Sequence, residues 1–348
     1  MSGIIGIVTP SLHTAPHQFL KIAIEKMSHF NWYESATWVA PDQTVGLGRM
    51  GIGILNRDAA PLLSENGNQV VLMTGEFYDT QSVRRQIEQA GVILRNDSDA
   101  ELALGAYKAF GPDFSSRLEG VFIIALYDQE NRRLLLTNDR FGLYPTYYAQ
   151  RGDTLIFAPE VKGVLADSSM PHKLNPRAAA EYFRFQHLLG SKTFHEDVHL
   201  FPPASIGVFD LNGGTWTMRR YWDWDQIQDQ PDISFADAVV ETGRLLRQSV
   251  ARLTSDSLRP GVFLSGGLDS RTISGLISPA KRPLVTATFG TSDCRDVYYA
   301  ERIARVVDSN HHWFNLPDGR WVLDNVDLYL KLTEGFPKPE VESRPTSG

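Results

Sequence analysis

The chain has 348 residues, 42% hydrophobic and 22% charged, a soluble globular profile with room for two domains of roughly 100–200 residues each. No apolar run approaches the ~18 residues of a membrane span, so membrane insertion and bulk disorder are excluded. The balance of 34 Lys and Arg against 41 Asp and Glu gives a formal charge of −7; with no basic cluster, nucleic acid is excluded as a partner.

The first apolar run, Gly3–Val8, reads as a strand. No Lys or Arg precedes Lys21, so neither a secretory signal nor a transit peptide is expected. The single cysteine, Cys294, leaves no internal disulfide and no multi-cysteine zinc site; together these point to the cytoplasm. Further strands are predicted at Val45–Ile52, Val70–Thr74, Val121–Asp128, Arg133–Asn138 and Thr154–Ala158. Phe19, Ala23, Met27 and Phe30 recur at near-helical spacing. A second helix opens at Asp99, its expected N-cap, with Leu102, Ala106 and Ala109 along one face. Runs of strands with separate helices predict an α+β layered domain over residues 1–222.

Asp223–Ser234 is acidic and Gln-rich and contains Pro231, which predicts a linker over residues 223–234. Beyond it come an amphipathic helix at Phe235–Leu253, a strand at Val262–Leu264, a glycine-rich turn, a helix at Leu268–Ile277 and a strand at Leu284–Phe289. This βαβ unit starts a parallel, helix-covered sheet in a small α/β domain over residues 235–333. A further helix is expected at Val297–Val307. Residues 334–348 hold Pro337, Pro339 and Pro345 among few apolar residues and are expected to be a disordered tail.

The hexapeptide Ser265-Gly266-Gly267-Leu268-Asp269-Ser270 follows a short strand and opens a helix, where backbone N–H groups and the helix dipole converge on an anion. The Ser265 and Ser270 hydroxyls are candidate phosphate donors, and Asp269 is a candidate Mg²⁺ ligand, since that ion takes a few carboxylates plus phosphate and water. A bare Gly-Gly pair is more simply a turn; the full hexapeptide in a strand–turn–helix context favours phosphate. It lacks the Gly-Lys-Ser/Thr of a Walker loop and is not the dinucleotide fingerprint. His311-His312 is set aside as a metal site because adjacent strand residues face opposite ways, and Cys294 has no His motif near it.

On the hexapeptide with Leu264, on Thr288-Phe289-Gly290, on Asp296 and Ala300 and on His311-His312, the second half resembles the PP-loop ATP pyrophosphatases and, more closely, the asparagine synthetase family. The resemblance implies ATP and Mg²⁺ as cofactors, an adenine pocket lined by Leu264 and Phe289, adenylation of a small-molecule carboxylate with release of pyrophosphate, and displacement of AMP by ammonia or an amine.

The first half resembles the class II glutamine amidotransferase domain of that family. The matching segments are Ser2-Gly3-Ile4-Ile5-Gly6, Leu47-Gly48-Arg49, Thr74-Gly75-Glu76-Phe77-Tyr78, Ser98-Asp99-Ala100-Glu101, Leu118-Glu119-Gly120-Val121-Phe122 and Asp139-Arg140-Phe141-Gly142. The implied fold is an Ntn-type layered αββα domain followed by a partial α/β parallel-sheet PP-loop domain. By the same resemblance, Met1 is removed, the new N-terminal residue attacks glutamine with its own α-amine as base, Arg49 clamps the glutamine carboxylate, Asp99 its amino group, and Gly75 and Glu76 join the glutamine site.

Two departures fall on the chemistry. Ser2 stands at the position of the family's cysteine nucleophile and lacks a thiol's partial ionisation at neutral pH. Thr74 stands at the position of the oxyanion-hole asparagine, and loss of one such donor costs about 10²–10³ in rate. The reading is therefore an asparagine synthetase-like, ATP-dependent amide ligase with glutaminase activity weak or lost. The alternatives are a non-catalytic or fragmentary relative with an incomplete ATP site, and an N-terminal serine amidohydrolase. The family's second phosphate segment, Ser-Gly-x-x-x-Asp-Glu, and its catalytic lysine do not appear downstream of the loop, so either the sequence is a fragment of a longer one or catalysis needs a complementing synthetase subunit; a homodimer is the other partner state considered.

Overall fold

The computed structural model describes residues 2–11, 14–54, 61–229, 232–256, 258–316 and 319–334. The chain divides into two compact units, Met1–Ile227 and Gln228–Gly348.

The first unit is built on two six-stranded antiparallel sheets. One contains β1 (Gly3–Val8), β2 (Glu34–Val39), β3 (Val45–Gly51), β8 (Tyr147–Arg151), β9 (Thr154–Ala158) and β10 (His199–Leu200), in the order β10-β8-β9-β1-β3-β2. The other contains β4 (Leu62–Leu63), β5 (Gln69–Phe77), β6 (Gly120–Asp128), β7 (Arg133–Asn138), β11 (Ser205–Asp210) and β12 (Thr215–Arg220), in the order β12-β11-β7-β6-β5-β4.

Alternation along the strands assigns the layers. Ile4 and Val8 of β1 share an inter-sheet core with Val70 and Leu72 of β5 and with Ile123, Ala125 and Tyr127 of β6. Ile5 and Ile7, on the other face of β1, pack with Phe19, Leu20, Ala23 and Met27 of α1 (Pro16–Met27) and with Val161 and Val164 of α4 (Val161–Val164). Val71 and Met73 of β5 pack with Val83 and Ile87 of α2 (Gln81–Gln89) and with Leu102, Ala103 and Ala106 of α3 (Asp99–Phe110). The result is the four-layer αββα arrangement of an Ntn domain. Because both faces of the central strands are buried, they read as continuous apolar runs rather than alternating ones.

Two local expectations are corrected. Ser98, not Asp99, is the N-cap of α3: its hydroxyl accepts the Glu101 N–H at 3.2 Å. Phe30 lies beyond the end of α1 at Met27 and is exposed. The sequence reading names no element at β2, β4, β8, β10, β11 or β12, at the polar helix α2, at α4, or at α5 (Pro176–Phe185), which buries only Ala178.

In the second unit, β13 (Gly261–Phe263), β14 (Leu284–Gly290) and β15 (Ser309–Asn315) form a parallel sheet in that order. It is accompanied by α6 (Phe235–Leu253), α7 (Leu268–Leu276) and α8 (Arg295–Val306). Two small clusters hold it together, one of Val250, Ile277, Leu284 and Val307, the other of Leu264, Ala300 and Ala304. The short helices α9 (Arg320–Asp324) and α10 (Val326–Thr333) follow. The expected tail beyond Glu334 lies outside the described residues. Among those residues no helix is long and apolar enough to cross a membrane.

Candidate functional site

Strand register gathers the amidotransferase candidates at one end of the inter-sheet layer. Gly3 pairs with Met50 and Ile4 with Arg49, so Ser2, on the same face as Ile4 by alternation, stands at the end of β3 that carries Arg49. Val45 and Leu47 line the inter-sheet core, which puts Arg49 on that face too. On β5, Val70 and Leu72 fix the same face for Thr74 and Glu76. Behind Ser2, a Cβ at Gly3 would lie 2.4 Å from Pro159 Cβ, so the strand start is packed flush against the 159–160 turn. The next residue, Glu160, holds the buried His29 ring through Nε2 at 3.0 Å and also pairs with Lys162.

Electrostatics tie the far side of this group together. Burial holds the Arg49 guanidinium below its ordinary value, while Glu34 and then Tyr144 draw it back up. Burial, followed by Glu76, pushes the Tyr144 phenol up, with Arg49 acting in opposition. The Tyr78 hydroxyl donates to Glu76 Oε1 at 3.1 Å, and burial and then Glu76 push that phenol up in turn. Asp99 Oδ2 accepts the Phe77 N–H at 3.4 Å, which joins the start of α3 to the end of β5. Arg49 and Glu76 thus both act on Tyr144, and Asp99 meets the same end of β5 through Phe77.

Thr74 is 2% exposed, and its Oγ1 has no hydrogen-bond partner among the described residues. A buried hydroxyl without a partner costs about 1–3 kcal/mol, which a ligand oxygen can recover. Gly75 adopts φ +109°, and a Cβ there would lie 1.9 Å from the Val121 carbonyl oxygen, so no other residue fits.

Other members of the matching segments carry structure. Glu101 is buried and takes Arg95 in a two-pronged ion pair, Nη2 to Oε2 at 2.6 Å, which holds its carboxyl below the ordinary value against the desolvation of burial. The buried Asp139 carboxylate accepts the N–H groups of Phe122 at 3.2 Å, Phe141 at 2.9 Å and Leu143 at 3.2 Å, fixing the turn that leads to Tyr144. The sequence reading missed Tyr144, Tyr78, Glu34 and His29. Only Tyr78 carried a signal, as the last residue of the Thr74–Tyr78 segment.

The second group surrounds the glycine-rich loop. Leu264 is buried, its N–H donates to Ala287 O at 2.8 Å, and its carbonyl accepts from Thr288 Oγ1 at 2.5 Å. The Ser265 N–H donates to Ser270 Oγ, the Gly267 N–H to Ser265 Oγ, and the two hydroxyls meet, each contact at 3.1 Å. The Gly266 N–H donates to Asp296 Oδ1 at 2.8 Å. Gly267 is the N-cap of α7 and has no side chain to cap it. The first-turn amides of Leu268, Asp269 and Ser270 therefore face outward from a positive helix end.

Leu264 and Phe289 are not brought together. The Leu264 side chain packs beneath α8 with Ala300 and Ala304. Phe289 is 49% exposed and joins an aromatic row with Phe263 at 5.8 Å and Phe314 at 5.1 Å. His311 Nδ1 bonds Thr286 Oγ1 at 2.9 Å. Among the described residues no three His, Cys, Asp or Glu side chains converge as a metal site.

A family model described as a glutamine amidotransferase domain matches residues 1–222, and one described as asparagine synthase matches residues 241–334. The chain belongs to the asparagine synthetase family. It is 26% identical over 331 residues to asparagine synthetase [glutamine-hydrolyzing] 2 of Bacillus subtilis, covering 90% of this chain and 43% of that one. Asparagine synthetase [glutamine-hydrolyzing] 1 of the same organism is 24% identical over 342 residues, 93% of this chain and 53% of its own. Amidase chry2 of Gibberella zeae is 28% identical over 266 residues, 74% of this chain and 38% of its own. This family member thus spans about half the length, or less, of these curated relatives.

Proposed function

We propose that the chain forms the amidotransferase unit and leading nucleotide loop of a cytoplasmic, ATP-dependent amide-forming ligase of the asparagine synthetase type, in which glutamine hydrolysis is weak or absent. The observation that carries the reading is the Ser265–Ser270 loop between β13 and α7, with its uncapped helix start. In this PP-loop reading the outward amides of Leu268–Ser270 grip the phosphates of ATP and stabilise the charge that develops on departing pyrophosphate. Asp269 would hold Mg²⁺ at the loop, and the ion would neutralise part of the phosphate charge. The Ser265 and Ser270 hydroxyls shape the loop through their mutual contact. The reactants in this reading are a small-molecule carboxylate and ammonia or an amine.

At the amidotransferase end, Arg49, Glu76 and Asp99 form a clamp for an α-amino acid such as glutamine. Ser2 is the weaker nucleophile, and Thr74 offers one short hydroxyl to a developing oxyanion. Pyrophosphate exchange into ATP, dependent on a carboxylate substrate and lost in Asp269→Ala, is the expected result. Absence of exchange across a panel of amino-acid carboxylates, with no retention of ATP, overturns the reading.

A second reading, hydrolysis of an amide by Ser2, is favoured by the relatives named amidase chry2 and amidase chyE of Penicillium rubens. Intact-mass measurement after treatment with an electrophilic glutamine analogue decides it. A covalent adduct lost in Ser2→Ala supports the hydrolase; an unmodified mass removes it.

A further inference from the structure

We infer that Asp296 is the positioning residue of the Ser265–Ser270 loop: it locks the Gly266 peptide so that the loop is already shaped when a nucleotide arrives. The inference rests on the nucleotide reading above. Asp296 stands in the first turn of α8 but does not cap that helix, whose N-cap is Cys294, with Sγ accepting the Val297 N–H at 3.5 Å. Instead its Oδ1 reaches across to the Gly266 N–H at 2.8 Å.

The close approach explains the residue on the other side. A Cβ at Gly266 would lie 2.7 Å from Asp296 Oδ1 and 3.4 Å from the Arg295 carbonyl oxygen. A side chain at Gly266 would push the Asp296 carboxylate off the loop, and the N–H and the Cβ direction of Gly266 both face α8. Asp296 therefore acts on the loop from behind, not on the ligand.

The neighbouring peptides are closed in the same way, Ser265 N–H on Ser270 Oγ and Gly267 N–H on Ser265 Oγ. Three consecutive loop peptides are fixed by protein acceptors, and the donors left for an anion are those of the α7 first turn. A site ordered in advance loses less conformational freedom on binding, which raises affinity without adding a contact. Asp296 is the one member of this arrangement that comes from outside the hexapeptide, so it couples the loop to the β14–α8 connection.

The test compares Asp296→Asn, which keeps an acceptor oxygen at the same reach, with Asp296→Ala, which removes it. Titration of the full chain with ATP and with inorganic pyrophosphate, each with Mg²⁺, should give affinities within about threefold of wild type for the Asn variant and about tenfold weaker or worse for the Ala variant. Hydrogen exchange at the Gly266 amide supplies a readout without ligand: faster in the Ala variant, and close to wild type in the Asn variant. Equal weakening by both variants assigns Asp296 a charge role toward metal or phosphate and overturns the inference. Tighter binding by both makes it a competitor for the ligand and overturns it as well. A wild type that binds neither ligand removes the nucleotide reading, and the inference falls with it; a wild type that binds while the variants behave alike removes only the role of Asp296.

Discussion

The two candidate sites differ in opposite ways from what their chemistry needs. At the amidotransferase end the scaffold is thick: two sheets sharing a buried core, helices on both outer faces, and Arg49 and Glu76 both acting on Tyr144. In the proposed reading the groups that would perform the reaction, Ser2 and Thr74, are the substituted ones. In the second unit the hexapeptide is intact, but one three-stranded sheet and two small clusters carry it, and Phe263, Phe289 and Phe314 form an exposed row on that sheet. Binding geometry and reaction chemistry are thus separable: one site keeps the frame with altered reactants, the other keeps the motif on a slender frame.

The largest expected effects test the frames. Phe157 is fully buried in the inter-sheet core, so Phe157→Ala should destabilise the first unit by about 3–5 kcal/mol. Phe289→Ala, at a half-exposed position, should cost less than about 1 kcal/mol. Denaturant unfolding followed separately for the two units checks both; similar losses erase the contrast between a thick and a slender frame.

A second test restores reactants to the thick frame. Ser2→Cys with Thr74→Asn should raise glutamine hydrolysis by about 10²-fold or more, since one oxyanion donor alone is worth about 10²–10³. Ammonia release assayed with the single and double variants measures it. A double variant no better than wild type means that the frame itself has lost the glutamine geometry.

A smaller effect concerns pH. Burial holds His29 below its ordinary value of 6.5, with Glu160 acting against that shift. The folded state therefore favours the neutral ring and the unfolded state binds the extra proton. This contribution is present above pH 6.5 and is lost as pH falls below it toward the depressed folded value. Unfolding curves from pH 7.5 to 5 should show a shallower acid-side loss in His29→Gln than in wild type; parallel curves contradict the assignment.

How much the sequence disclosed follows the same division. Strands buried on both faces, such as Gly3–Val8 and Arg133–Asn138, were legible to the residue, because apolar runs of six residues are too short for a buried helix and are bounded by turn residues. The amphipathic α6 was legible for its whole length. Strands β2 and β12 were not, since their side chains are largely exposed and polar. Helices α2 and α5 bury too few residues to show a stripe. In the sites, the hexapeptide and the Thr74–Tyr78 segment were visible as local strings. Tyr144 beside Arg49 and Asp296 on Gly266 were not visible as partners, because each depends on a contact between residues far apart in the chain. The N-cap exchange between Asp99 and Ser98 is a one-residue shift with a functional consequence: Ser98 serves the helix, and the Asp99 carboxylate is left to face the end of β5.

The central claim, that the Ser265–Ser270 loop holds a nucleotide's phosphates, is tested most directly by calorimetric titration of Mg²⁺·ATP into the full chain and its Asp269→Ala variant. The account predicts saturable heat with wild type and binding about tenfold weaker or undetectable with the variant. No heat with wild type, or identical isotherms for the two proteins, would contradict it.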